Sequence, residues 1–254
     1  MTRTAVSSSL WTRQFHPRPE APVRLFCFPH AGGSASFFHP LSAALADRMD
    51  VTCLQYPGRQ DRLHEPCVDD MTELADRVLA EIEPSLDRPV LLFGHSMGAT
   101  LAFEVALRME YDLGIMPRTA FFSGRRAPST PRRADAVDLA DDEALLREIR
   151  GLSGTDARLL DDEDLRHMIL PAIRGDYRAV QNYRLSERST LRCPVQVLTG
   201  DSDPKTTLDE AKAWEQHTTG PSTVRVFRGD HFFLTKHQPD IIRLIAEAAE
   251  PDRI

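Results

Sequence analysis

Ser96 sits between two glycines in the run Gly94-His95-Ser96-Met97-Gly98. The apolar Pro89-Val90-Leu91-Leu92-Phe93 precedes it, and the helix-like Ala99-Thr100-Leu101-Ala102-Phe103-Glu104-Val105-Ala106-Leu107 follows. A G-x-S-x-G placed between strand and helix is a nucleophile elbow. The turn is so tight that residues beside the serine need little side chain, and glycine tolerates both the strained angles and the close backbone approach. The hydroxyl is then held above the end of the strand, at the positive end of the next helix. The competing reading is a glycine-rich helix N-cap. A serine hydroxyl attacks carbonyl carbon poorly unless an oriented imidazole removes its proton, so the same chain must supply a histidine and an acid.

For an elbow of this kind the chain order is serine, acid, histidine. His217, His231 and His237 lie far enough downstream. His217 falls in a helical pattern and His237 precedes Pro239 at a helix start. His231, in Arg228-Gly229-Asp230-His231-Phe232-Phe233, directly follows the last strand-like run and is the expected base. The strand before it leaves through Asp201-Ser202-Asp203-Pro204, and both aspartates are candidates for the acid. The G-x-x-D spacing usual in such folds selects Asp203. Asp201 and Asp230 read as turn residues that cap their own backbone. An oxyanion hole needs two N–H donors. One is expected from Met97, after the nucleophile, and one from Ala31 in the loop Pro29-His30-Ala31-Gly32-Gly33-Ser34-Ala35. His30 and His95 lack a third partner at metal-ligand spacing and read as packing residues, so no metal is expected. The glycines lack the G-x-G-x-x-G spacing of a nucleotide site.

These loops need a scaffold. Strand-like runs at residues 23–28, 51–56, 90–94, 119–124, 195–200 and 223–227 alternate with helical patterns at 36–45, 71–86, 99–108, 208–217 and 239–249. Several runs are apolar throughout, as buried parallel strands are. The alternation predicts an α/β class with a mostly parallel central sheet flanked by helices and an edge strand in the residues up to Pro22; the elbow within it points to the α/β-hydrolase fold. Residues 1–254 are expected to form a single domain. The interval from Gly124 to Cys193 breaks the rhythm. It opens with a proline-bounded loop bearing Arg125, Arg126, Arg132 and Arg133. Helical patterns follow, starting at Asp141-Asp142-Glu143 and Asp161-Asp162-Glu163, where acidic first turns suit the helix dipole. So long a stretch exceeds a connection. It is expected to be a helical lid inserted over approximately residues 125–192, its helices falling from about Ala134 to Arg184; purely structural packing is the competing reading.

Composition narrows the class. The 254 residues carry a net charge of −7 and 41% hydrophobic residues, which suits one substantial core. No basic run with interleaved aromatics points to nucleic acid, and no apolar run is long enough to cross a bilayer. The first nine residues lack a signal-peptide pattern, so a cytoplasmic location is expected. Cys27, Cys53, Cys67 and Cys193 are scattered without a C-x-x-C pair, so redox chemistry is not expected.

Four motifs in order, Phe28-Pro29-His30-Ala31-Gly32-Gly33-Ser34, Tyr56-Pro57-Gly58-Arg59, Gly94-His95-Ser96-Met97-Gly98-Ala99 and Gly229-Asp230-His231-Phe232-Phe233, resemble those of type II thioesterases. These are the free-standing editing enzymes of polyketide and nonribosomal peptide synthesis. The resemblance spans nearly the whole chain and implies hydrolysis of stalled or wrong acyl groups from the phosphopantetheine arm of acyl- or peptidyl-carrier proteins, under a helical lid. It carries no substrate preference. The phosphopantetheine belongs to the partner, so no cofactor is expected. Arg59 or Arg62 would meet the pantetheine phosphate, and the arginines of the 125–133 loop would dock an acidic carrier; surface arginine is the plainer reading of each. Three rivals stand beside this reading: a carboxylesterase or lipase, which shares every catalytic residue but is indifferent to carrier protein, a cyclising or acyl-transferring thioesterase, which would exclude water from the acyl-enzyme, and a hydrolase-fold binding protein. The last is expected to have lost one of Ser96, Asp203 and His231.

Overall fold

A computed structural model of the chain describes residues 9–132, 136–152 and 162–250. Arg133, Ala134 and Asp161, named above, lie outside the described residues, as do residues 1–8. The strands β1 (Thr12–Arg13), β2 (Arg24–Phe28), β3 (Asp50–Leu54), β4 (Val90–His95), β5 (Thr119–Ser123), β6 (Val195–Gly200) and β7 (Ser222–Phe227) form a seven-stranded sheet in the order β1-β3-β2-β4-β5-β6-β7. Only β1, at one edge, runs antiparallel, against β3. Every other neighbouring pair is parallel.

Both faces are covered, which explains why the strands read as unbroken apolar runs. Phe26 and Phe28 of β2 enter the core on one face, with α2 (Met71–Ile82), α3 (Met97–Tyr111) and the buried Trp214. Leu25 and Cys27, one residue out of step, enter the core on the other, with α1 (His39–Leu45) and α8 (Gln238–Ala249). Successive strand residues point to opposite faces, so each run feeds two cores. The first boundary of β3 falls at Asp50, one residue before the predicted run. Its buried carboxylate accepts Arg24 Nε at 2.9 Å and Nη2 at 2.8 Å across the ladder, and it pairs in register with Arg24.

Between β5 and β6 the described chain adds no strand to the sheet. It forms α4 (Asp142–Gly151) and α5 (Glu163–Asn182), N-capped by the side chains of Asp141 and Asp162, which accept the N–H groups of Glu143 and Leu165. Leu145, Leu146 and Ile149 of α4 pack on Leu170 and Ile173 of α5 in a small third core. The chain returns to the sheet through a bridge between Leu191 and Thr218. There the buried Glu110 carboxylate accepts the N–H groups of Arg192 and Cys193 at 2.8 and 2.9 Å. The short α6 (Leu208–Lys212) and α7 (Phe233–Lys236) flank the exits of β6 and β7.

Candidate active site

The elbow is built from two contacts that only glycine permits. A Cβ on Gly94 would lie 2.1 Å from Gly98 O, and one on Gly98 would lie 2.0 Å from Phe28 O. With both side chains absent, α3 closes against the ends of β2 and β4, and its first residue is Met97, directly after the serine. The predicted helix starts two residues later, because a sequence pattern does not show that the turn consumes only Ser96. Ser96 itself has φ 55° and ψ −119°, a left-handed backbone for a residue with a side chain. Such strain persists only where the surroundings fix it. Ser96 N–H donates to Ser123 O at 2.8 Å, and Ser96 O accepts Ala99 N–H at 3.0 Å.

Ser96 Oγ lies 3.0 Å from His231 Nε2, and His231 Nδ1 lies 3.0 Å from both Oδ1 and Oδ2 of Asp203. A carboxylate only accepts, so Nδ1 carries the ring proton and Nε2 is left to accept the serine hydroxyl. Asp203 leaves β6 and His231 leaves β7, neighbouring parallel strands, so both side chains emerge at the same edge as Ser96. His231 and Asp203 are buried, and Asp203 Oδ1 also accepts Lys205 N–H at 2.8 Å. Asp201 takes a different place. It is exposed, and its Oδ1 accepts Gly229 N–H at 2.8 Å and Ser202 Oγ–H at 3.0 Å, bonds that hold its carboxyl below the usual carboxylate range. Asp230 accepts Phe232 N–H within its own turn. His217 donates to Ser189 O and accepts from Ser129 Oγ, and His237 donates to Arg228 O; neither reaches the serine.

His30 and His95 pack beside this group. The His95 ring centroid is 5.1 Å from that of His231 and 6.0 Å from that of His30, with Phe37 and Phe232 closing around them. Burial, then the nearness of His231 and of Arg59, pushes His30 down to about 3, and burial and the same His231 push His95 well below the ordinary histidine value. Both rings are therefore neutral near pH 7. Ala31, Ser96, Met97 and His231 border a cavity of about 900 Å³ whose far wall includes Ile149, Ile169 and Tyr177 of α4 and α5.

One expectation about arginine needs correction. Arg59 and Arg62 are buried, neither at the surface nor free to meet a pantetheine phosphate, and their guanidinium groups are engaged inside the protein. Arg62 grips Glu65, donates to Gln55 O and lies over the Trp11 ring. Arg59 forms a fork on Asp176, Nη1 to Oδ2 at 2.7 Å and Nη2 to Oδ1 at 2.8 Å. Burying a guanidinium demands a paired carboxylate: Arg62 finds one three residues on, in Glu65, whereas the partner of Arg59 lies 117 positions away. The other arginine loop turns partly inward: Arg125, Arg126 and Arg132 line the cavity, and Arg132 is forked on Glu210. Asp176 was missed from sequence. Its signal was present, since it lies on the apolar stripe of α5, three residues after Ile173 and three before Ala179, where an acid is out of place. Cys27, Cys53 and Cys193 are buried and free, with the thiols of Cys27 and Cys193 pushed up chiefly by burial.

Residues 23–248 match the family model of the thioesterase domain. The probable cadicidin biosynthesis thioesterase of Streptomyces griseus is 51% identical over 247 residues, which cover 97% of this chain and 68% of the relative. Thioesterase PikA5 of Streptomyces venezuelae is 47% identical, over 95% of this chain and 86% of its own. The solved structure of the type II thioesterase BorB, from the borrelidin biosynthetic cluster, superposes with a TM-score of 0.89 at 50% identity, covering 96% of this chain and 99% of that one. An elbow serine, a sheet of this topology and a full-length match thus agree, and the chain belongs to the thioesterase family, in its type II branch, with the α/β-hydrolase fold.

Proposed function

We propose that the protein hydrolyses acyl groups from the phosphopantetheine thiol of acyl- or peptidyl-carrier proteins, with Ser96 as nucleophile, His231 as base and Asp203 as the acid that orients it. The observation that carries this reading is the chain of 3.0 Å contacts from Asp203 through His231 to Ser96, opening on the cavity beneath α4 and α5. The relatives named above are thioesterases, one of cadicidin biosynthesis and one from the borrelidin biosynthetic cluster, which supports the substrate class. The editing role, removal of stalled or wrong acyl groups, comes with that class.

Ser96 Oγ attacks the thioester carbon as its proton passes to His231 Nε2. The imidazolium is stabilised by the Asp203 carboxylate on Nδ1. The developing oxyanion is received by the N–H groups of Met97, in the first turn of α3, and of Ala31, on the loop after β2. The carbon–sulfur bond breaks, and the pantetheine thiolate takes the proton from His231 Nε2 to leave as the thiol, which restores the neutral imidazole. A water then gives its proton to His231 and attacks the acyl-serine carbon. The free acid departs, and the returned proton regenerates Ser96. The inserted helices act as a lid that forms the far wall of the acyl cavity. Arg125 and Arg126, on the cavity's edge, favour an acidic carrier.

A panel of acyl-carrier proteins beside the matching acyl-pantetheines tests both halves of the proposal. Carrier-bound substrate is expected to have the higher kcat/KM, with the advantage shrinking on charge reversal at Arg125 and Arg126, most at low salt. Equal rates for the two substrates would favour the carboxylesterase reading. Ser96→Ala is expected to lose at least about 10⁴-fold in turnover while keeping its fold; normal activity in that variant would overturn the mechanism.

A further inference from the structure

The motif Tyr56-Pro57-Gly58-Arg59 has no partner among the reacting groups, yet the side chains of Tyr56 and Arg59 both donate to the loop after β2. Tyr56 Oη donates to Pro29 O at 3.3 Å. The Arg59 guanidinium lies 5.2 Å from the Tyr56 ring centroid and donates from Nη1 to Gly33 O at 3.0 Å. The same group is forked on Asp176 of α5, whose Oδ2 also accepts the Gly32 N–H at 2.7 Å. One turn earlier on α5, Ile173 presses on the same glycine: a Cβ on Gly32 would lie 2.6 Å from Ile173 Cγ1, and Gly32 has a left-handed φ of 72°. α5 thus touches Gly32 twice, by a charge-assisted hydrogen bond and by direct packing.

These contacts fix the two peptide planes on either side of Ala31. The preceding plane carries His30 O, which accepts Gly33 N–H at 2.9 Å. The following plane carries Gly32 N–H, which is held by Asp176. A trans peptide sets its N–H opposite its C=O, so turning His30 O into the Gly33 turn turns the Ala31 N–H the other way. With both flanking planes anchored, that direction has no freedom left.

We propose that Asp176, forked on Arg59, is a positioning residue that aims the Ala31 N–H at the oxyanion, so that the inserted helix α5 completes the hole as well as walling the cavity. The assignment rests on the proposed role of Ala31 and Ser96. It makes α5 part of the catalytic apparatus: transition-state stabilisation depends on its seating, whereas binding of the acyl chain in the ground state does not depend on this carboxylate.

Asp176→Asn keeps the side-chain size and one acceptor oxygen but removes the charge. Losing an oxyanion donor outright costs about 10²–10³ in rate, so a misaimed donor is expected to lower kcat by roughly 10- to 100-fold with KM changed less than about threefold. A trifluoromethyl ketone analogue of acyl-pantetheine, which becomes a tetrahedral oxyanion on Ser96, is expected to weaken by the same factor as kcat/KM. Arg59→Lys keeps the charge but loses one arm of the fork; it is the second variant should Asp176→Asn not fold, and a smaller loss of the same kind is expected. Unchanged kcat and unchanged ketone affinity in either folded variant would overturn the assignment, and so would a raised KM at constant kcat. Ser96→Ala assayed in parallel separates the two levels. An active Ser96→Ala protein removes the underlying mechanism, whereas an inactive one beside an unimpaired Asp176→Asn removes only the role given to Asp176.

Discussion

Gly98→Ala adds a single methyl group where the elbow leaves none. The new Cβ would stand 2.0 Å from Phe28 O, 2.6 Å from Phe28 C and 2.6 Å from Pro29 O. All three atoms are backbone, so no rotamer change relieves the contact. An ordinary carbon–oxygen contact is about 3.3 Å or more, which forces α3 and the end of β2 apart by more than about 1 Å. The structural cost of overpacking is about 1–3 kcal/mol, and a backbone clash belongs at the upper end. Alanine's better helix propensity returns up to about 1 kcal/mol. A net loss of about 2 kcal/mol lowers Tm by roughly 4–8 °C in a chain of this size. The catalytic cost is larger, because the segments driven apart are those carrying Met97 and Ala31. A displacement of about 1 Å at reacting groups costs on the order of 10² in rate, and a lost oxyanion donor about 10²–10³. We therefore expect kcat on an acyl-pantetheine to fall by about 10²–10³ at a temperature where the variant is fully folded. Gly151→Ala, at the end of α4 with nothing within 4 Å of the added Cβ, is the control and is expected to keep native kcat with a Tm no lower than native. A Gly98→Ala protein with kcat within about twofold of native and an unchanged Tm would show that the closeness of α3 to β2 does not set the geometry of the hole.

Asp203→Asn, which cannot hold the Nδ1–H of His231 as a carboxylate does, is expected to lose about 10⁴-fold in kcat with little change in folding. Asp201→Asn retains an acceptor for Gly229 N–H and is expected to stay within a few-fold of native; steady-state kinetics that rank the two the other way would move the acid to Asp201. Stability is expected to fall with acid through His30. Its folded value of about 3 lies below that of the unfolded chain, so between about pH 6.5 and 3 the unfolded state binds more protons and stability rises with pH. The loss reaches at most about 2 kcal/mol at pH 5, less by whatever screening the cavity water gives. Melting curves from pH 7 to pH 5 on the native protein and on His30→Phe check this, and equal acid sensitivity in both would refute it.

The catalytic strands were legible because chemistry and fold share one signal there. A glycine-flanked serine after β4, a G-x-x-D after β6 and a G-D-H after β7 each sit at the end of an apolar run, and parallel strands bring such ends to one edge. The expected Ser96, Asp203 and His231 lie within hydrogen-bond reach of one another for that reason. The arginines were illegible for the opposite reason. Whether Arg59 is a surface residue or a buried anchor depends on Asp176, 117 positions away, and no local pattern reports a partner at that separation. Helix boundaries slipped at both ends of α3 because periodicity registers the buried face, whereas the start is set by the elbow and the end by tertiary packing.

β5 and β6 pair directly, Ala120 with Val195 through Ser123 with Leu198, although residues 124–194 intervene. The chain leaves the sheet and re-enters it beside the strand it left, with the Glu110 carboxylate clasping the point of return. That span is therefore an exchangeable cassette. We expect its sequence to be free to drift, or to be swapped for that of a relative, without altering the register of the strands that lead to Ser96, Asp203 and His231. On the proposed function, selectivity for the acyl chain and competence for hydrolysis would be inherited on separate stretches of the gene, joined at one point: an imported cassette would have to present an acid to Arg59 and Gly32, as Asp176 does here.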